Sequence, residues 1–269
     1  MGFFATFVVL LTIFIGVAWY FGDDSPEVKR SVLYYPFDGE QQIESVQNCP
    51  VSSSPLITLS AINGALKITG HPHNNVVIQV TKRGDRKQFE QVQAKVNATK
   101  THVDITTYYK SRYSHNISID YEIIVPHNTQ CKLLKTKNGS ISVFNVYGPI
   151  HCETANGSIT LEQTKNSVKA HTVNGTIIAN IATFKKDFLV ELATVNGTIE
   201  CKLPENISAD IYAKTSIGKI KTNIPLTLNV GFVSGEELSG HVGTRNSGRI
   251  SLKTSNGAIA IQSADSALA

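Results

Sequence analysis

The sequence predicts an all-β chain: a single-domain β-solenoid with a less regular N-terminal β portion, preceded by one transmembrane helix. Three observations predict it. A Thr-x-Asn-Gly-x-Ile unit recurs at nearly fixed spacing through the C-terminal half. Apolar and polar residues alternate on both sides of that unit. An uncharged apolar run occupies residues 2–22 at the start of the chain.

That run, "GFFATFVVLLTIFIGVAWYFG", is long enough to span a bilayer, since about 20 apolar residues at 1.5 Å each cross the hydrocarbon core. It is read as an anchor over residues 1–22. A cleaved signal peptide is the alternative: Gly16 and Ala18 have the spacing of a cleavage site, but no Lys or Arg precedes the run. Lys29 and Arg30 follow it, a bias that keeps flanking chain in the cytoplasm, although long downstream domains translocate regardless.

Residues 23–55 carry Pro36, Pro50, Pro55 and "VSSSP" and read as a linker or irregular cap. From Leu56 the strand pattern begins. "ITLSAINGALKITG" (57–70) holds a first Asn-Gly corner, and "NVVIQVTKR", "HVDITTYY" and "NISIDYEIIVP" alternate with period two. Between them lies a polar stretch, 84–100. Its Phe89, Val92 and Val96 fall at helical spacing, so it reads as a short helix or a strand-connecting excursion.

The regular units follow. Their glycines stand at 139, 157, 175, 197, 218 and 257, so successive steps are 18, 18, 22, 21 and 39 residues, the last leaving room for an extra lap. Ile141, Ile159, Ile177, Ile199, Ile220 and Ile259 fill one column, which makes them the expected core. Before the Thr, one inward column reads Lys132, Ile150, Val168, Val190, Ile211 and Ile250, and a second reads Leu134, Cys152, Ala170, Leu192, Ala213 and Leu252. Period two marks half-buried strands. The pairs Asn138-Gly139, Asn156-Gly157, Asn174-Gly175, Asn196-Gly197 and Asn256-Gly257 then read as tight turns needing φ > 0, with the asparagines stacked in a hydrogen-bonded ladder. The threonines stack likewise, as β-branched residues suit strands. Ile217 replaces Asn in the fifth unit and should break the ladder there. Each copy holds an equivalent place in a repeat, so the units read as scaffold rather than a duplicated site.

These residues resemble the putative adhesin family, a bacterial domain family of unknown function. The resemblance rests on "NGALKITG" (63–70), "IIVP" (123–126), the serial Thr-x-Asn-Gly-x-Ile units and "CKLPENISADIYAKTSIGKI" (201–220), and covers residues 56–262. It implies a β-solenoid, often membrane-tethered and facing outward from the cytoplasm, with no established catalytic activity. Residues 263–269 remain as a tail.

Candidate chemistry is sparse. Net charge is only +4 with no long run of Lys or Arg, which argues against nucleic acid as partner. Cys49, Cys131, Cys152 and Cys201 form no CxxC pair, so a zinc site is not expected; buried thiols are, with a single disulfide as the alternative. "HPH" (71–73) offers two imidazoles but no third ligand, and reads as a turn. The outward column Lys135, Glu153, His171, Ala193, Lys214 and Lys253 mixes charges as a solvated face does, and no two carboxylates recur at like positions, as glycan hydrolysis requires. Asn97, Asn116, Asn138, Asn156, Asn174, Asn196 and Asn206 begin Asn-x-Ser/Thr, which turn chemistry explains for the four in Asn-Gly units. "KSRYSH" with its flanking tyrosines makes Tyr108, Tyr109, Arg112 and Tyr113 the candidate contact surface.

The expectation is a non-catalytic envelope protein, tethered to the membrane by its N-terminal helix (or secreted, if that helix is cleaved) with its domain outside the cytoplasm. The rigid stack would serve adhesion or scaffolding, with glycan, an envelope protein or another copy as partner, and no cofactor or metal. A carbohydrate-active β-helix enzyme and a membrane-associated regulatory sensor are the alternatives.

Overall fold

The computed structural model describes residues 41–110, 117–228, 237–244 and 248–263. The expected anchor, residues 23–40 of the linker and residues 264–269 of the tail lie outside the described residues. No helix among the described residues is long and apolar enough to cross a membrane.

Apart from one short 3-10 helix, the regular structure of the described residues is all β, in two large sheets. The chain winds through them in laps, each giving one strand to either sheet. The laps are β2 (Leu56–Ser60) with β3 (Leu66–His71), β6 (His102–Tyr109) with β7 (Ser118–Pro126), and β8 (Gln130–Asn138) with β9 (Ile141–Phe144). Then come β10 (Ile150–Asn156) with β11 (Ile159–Thr164), β12 (Val168–Asn174) with β13 (Ile177–Ile181), and β14 (Leu189–Asn196) with β15 (Ile199–Leu203). The last two are β16 (Ala209–Ile217) with β17 (Ile220–Thr222) and β20 (Gly248–Asn256) with β21 (Ile259–Ser263). Within each sheet the lap strands run parallel, with like positions in register: Thr154 faces Thr172 and Ile159 faces Ile177. The Ile column is fully buried from Ile141 to Ile199 and at Ile259, each side chain contributing about 1.5–3 kcal/mol of burial. Ile220, on the outermost lap, is only half-buried.

Stack order departs from chain order at both ends. The β20/β21 lap inserts between β14/β15 and β16/β17, so the last lap in sequence is covered on both sides. At the other end β2/β3 lies inside β6/β7. Among its described residues the 39-residue step therefore holds no extra serial lap. Its described part contains β18 (Thr227–Leu228) and β19 (Glu237–Val242), which run antiparallel and close the edge of β16. Lys214–Glu237 and His241–Asp210 contacts, both 3.0 Å, pin β19 to β16.

The N-terminal end is closed the same way. β4 (Asn75–Arg83) pairs antiparallel with β7, β1 (Gln41–Pro50) with β4, and β5 (Val92–Ala98) with β6. Residues 41–50, expected as linker, are thus an edge strand. The excursion at 84–100 resolves into a short 3-10 helix, Arg86–Gln91, followed by β5. Antiparallel strands with a different hydrogen-bond pattern cover most of the open rungs that a parallel stack would expose. At the free edge of β17, Lys219 and Lys221 are exposed, charges that oppose further strand pairing.

Candidate functional site

Each Asn-Gly corner of the regular laps is built from two side chains, Asn and Thr, and one close approach at glycine. The Asn side chains form a continuous amide ladder: Nδ2 of Asn138, Asn156, Asn174, Asn196 and Asn256 each donates to Oδ1 of the preceding rung, at 2.7–2.8 Å, beginning at Asn63. Because β20 inserts before β16, Asn256 follows Asn196 directly, and Ile217 stands at the end of the ladder rather than in its middle. The corner is not a hairpin turn, because the flanking strands belong to different sheets. Positive φ occurs there at the glycine of some corners (Gly64, Gly157 and Gly257, at 130–157°) but at no corner Asn. Glycine is required by proximity: a Cβ at Gly139 or Gly257 would sit 1.9–2.0 Å from the glycine carbonyl oxygen of the neighbouring rung. That same carbonyl accepts the buried Thr hydroxyl of the next rung, as in Thr154 to Gly139, Thr172 to Gly157 and Thr254 to Gly197, at 2.9–3.0 Å. The hydroxyl role is not implied by β-propensity, and the invariance of Thr over Val in the column is the signal that reveals it.

The candidate contact tyrosines are split across the two faces of β6. Tyr108 is exposed, with 59% of its surface open. Tyr109 is half-buried against the core, hydrogen bonds to Asn63 and donates to the Ile117 carbonyl at 3.4 Å, so it closes the donor end of the ladder. Burial pushes its phenol up, opposed by the bonds from Asn63. Arg112 and Tyr113 lie outside the described residues, so this surface is not assembled among the described ones.

A groove of about 330 Å³ crosses the starts of β2, β8, β10, β12 and β14, neighbouring strands of one sheet. Leu56, Pro149, Ile150 and Val168 give it an apolar lining, and Lys132, His151, Lys169 and Glu191 stand along it. Lys132 is there because β8 carries a bulge: Cys131, not Lys132, pairs with Ile150, and the register recovers at Leu134 opposite Cys152. The expected inward Lys132 is therefore exposed, and buried Cys131 takes its place in the column. Beside the groove, Glu153 lies 3.0 Å from Lys135 Nζ and 3.1 Å from His151 Nε2. Lys135, with His151 adding to it, holds the Glu153 carboxyl below its ordinary range. A carboxyl so held is a fixed anion and a poor proton donor at neutral pH.

Among the described residues no group of three or more His, Cys, Asp or Glu could hold a metal ion. In the turn at 71–73, His71 Nδ1 accepts from His73 N–H at 2.8 Å and Nε2 lies 3.1 Å from the Asn75 carbonyl, which commits both ring nitrogens. All four cysteines are free and buried, and burial pushes the Cys131 and Cys201 thiols up to about 12. Of the remaining Asn-x-Ser/Thr sites, Asn97 and Asn206 are exposed, and Asn116 lies outside the described residues.

No protein-family model matches this chain, and neither does any curated protein. Solved structures do resemble it. A putative cell adhesion protein from Clostridium sporogenes is 13% identical with a TM-score of 0.46, over 89% of this chain and 100% of that one. A putative adhesin from Bacteroides fragilis is 12% identical with a TM-score of 0.40, over 90% and 100%. A putative adhesin from Parabacteroides distasonis is 10% identical with a TM-score of 0.30, over 84% and 98%.

Proposed function

We propose that this chain is a non-catalytic, membrane-tethered envelope protein, and that its laps form a stiff β-solenoid presenting a contact face outside the cytoplasm. The groove across five neighbouring strands carries this reading. Its apolar lining runs along the stack, and Lys132 and Lys169 are both exposed there against one acidic neighbour, Glu191. Strands spaced about 4.8 Å apart offer a linear polymer regularly spaced contacts from lap to lap. The charge balance favours an anionic chain, and the partner class that fits is an acidic glycan.

The test is sedimentation of the purified full chain with acidic and neutral polysaccharides of matched length. Retention by the acidic polymer, weakened about tenfold or more in a Lys132→Glu/Lys169→Glu variant and by raised salt, supports the reading. Equal retention by the neutral polymer, or an unchanged variant, overturns it. Protease digestion of intact cells tests the orientation: cleavage of the domain from outside is the expected result.

A further inference from the structure

All six Asn-Gly pairs of the chain stand in one column. Asn-Gly is a chemically fragile bond pair. The glycine nitrogen attacks Asn Cγ, forming an N–Cγ bond as the Cγ–Nδ2 bond breaks; the proton lost by that nitrogen leaves with Nδ2 as ammonia. Water then opens the succinimide at one of its two carbonyls. The product is Asp, or an isoaspartyl link whose main chain runs through the side-chain carbonyl. Glycine, lacking a Cβ, leaves the attacking nitrogen least shielded.

We propose that the stack protects five of these pairs from deamidation and leaves Asn256-Gly257 as the site where it begins. Two locks provide the protection. The first engages the nucleophile: the N–H of Gly64, Gly139, Gly157, Gly175 and Gly197 donates to the Asn carbonyl of the adjoining rung at 2.8–3.0 Å. The second holds the electrophile. The amides of Asn138, Asn156, Asn174 and Asn196 each donate to one rung and accept from the other, and Asn63 is held by Asn138 and Tyr109. Accepting a hydrogen bond does make Cγ more electrophilic, which opposes protection. Geometry outweighs it, because attack needs the amide turned out of the ladder and the glycine nitrogen released, and both require local opening of the lap.

Asn256 lacks half of the second lock. Its Nδ2 donates to Asn196 at 2.7 Å, but the rung on its other side carries Ile217, which has no side-chain donor. Gly257 N–H is bonded at 2.8 Å to Ile217 O, and Ile217 belongs to the outermost lap, whose β17 strand has three residues. Ile217 itself is 71% exposed. This is the rung from which fraying proceeds. The product has no place in the stack. Aspartate at 256 cannot donate to Asn196, and an isoaspartyl link adds a methylene to the main chain where even a Cβ on Gly257 would meet a carbonyl at 2.0 Å. Deamidation there loosens the terminal β16/β17 lap from the laps beneath it.

The experiment incubates the full chain at mildly alkaline pH, native and in urea, and follows the mass gain at each Asn-Gly pair by peptide mapping. In urea all six should react at similar rates. In the native protein the five inner pairs should slow by about tenfold or more, the scale set by even shallow opening equilibria, with Asn256 reacting first. Ile217→Asn, a substitution at an exposed position, completes the ladder and should slow Asn256 several-fold toward the inner rate. The proposal is overturned if the inner pairs react natively at their urea rates, if Asn256 is no faster than they are, or if Ile217→Asn leaves its rate unchanged.

Discussion

At each corner one glycine carbonyl accepts the threonine hydroxyl of the next rung and occupies the place where a Cβ on that rung's glycine would have to be. Substitution at the two positions should therefore differ sharply in cost. Thr172→Val keeps the shape and removes the donor to Gly157 O, and should cost about 1 kcal/mol in urea unfolding. Gly175→Ala places a methyl about 2.1 Å from the same backbone oxygen, which cannot move without its own lap, and should cost on the order of 4 kcal/mol or abolish folding. Equal costs would mean that the hydroxyl bond and the close approach are not both present. The Asn, Gly and Ile columns were legible because most laps repeat them. The corner type was not: Asn-Gly is also the strongest short hairpin signal, and only the sheet membership of the flanking strands separates the two geometries. Lys132 was misplaced for a similar reason, since a bulge shifts register without leaving a mark in composition.

At the scale of elements, the irregular segments do as much as the regular ones. β1 escaped the period-two reading because a register shift between Ile43 and Ser45 breaks its alternation, and Pro50 at its end, with Pro36 and Pro55 to either side, resembles a linker's composition. The turn between β3 and β4 gives a pH dependence. His71 fits as the neutral Nε2–H tautomer, donating to Asn75 O and accepting from His73 N–H. Burial lowers its pKa below the ordinary value of 6.5; the Asn75 bond opposes this, and nearby His73 and His127 lower it further. With the folded value depressed, its contribution to stability is complete above about pH 6.5 and is lost as pH falls through the folded pKa. Thermal unfolding should therefore shift to lower temperature between pH 7.5 and 5, and by less in His71→Gln. An identical shift in that variant would assign the pH dependence to other groups.

For the whole molecule, the swapped laps at both ends distinguish this chain from a simple serial coil. Identical columns let any lap sit on any other, so lap order is invisible in the repeat itself. The 39-residue step was the only hint, and it fits an extra lap as readily as the observed insertion with its antiparallel cover. In the groove, Ile150, Val168, Lys169 and Glu191 could be placed on their strands from the sequence. Their meeting with Leu56 and Lys132 depended on β2 lying beside β8 and on the bulge. The insertion is the claim on which both the ladder's end and the exposure of Asn256 depend. It is tested most directly by two double-cysteine variants, since a disulfide needs Cα atoms about 4.4–6.8 Å apart. Val195 and Ser255 flank the register pairs Thr194–Thr254 and Asn196–Asn256 on adjacent strands, whereas Ser216 lies one strand further, at roughly twice the 4.8 Å spacing. Under mild oxidation Val195→Cys/Ser255→Cys should form an intramolecular disulfide while Val195→Cys/Ser216→Cys stays reduced; the reverse outcome would put the laps in chain order and contradict the account.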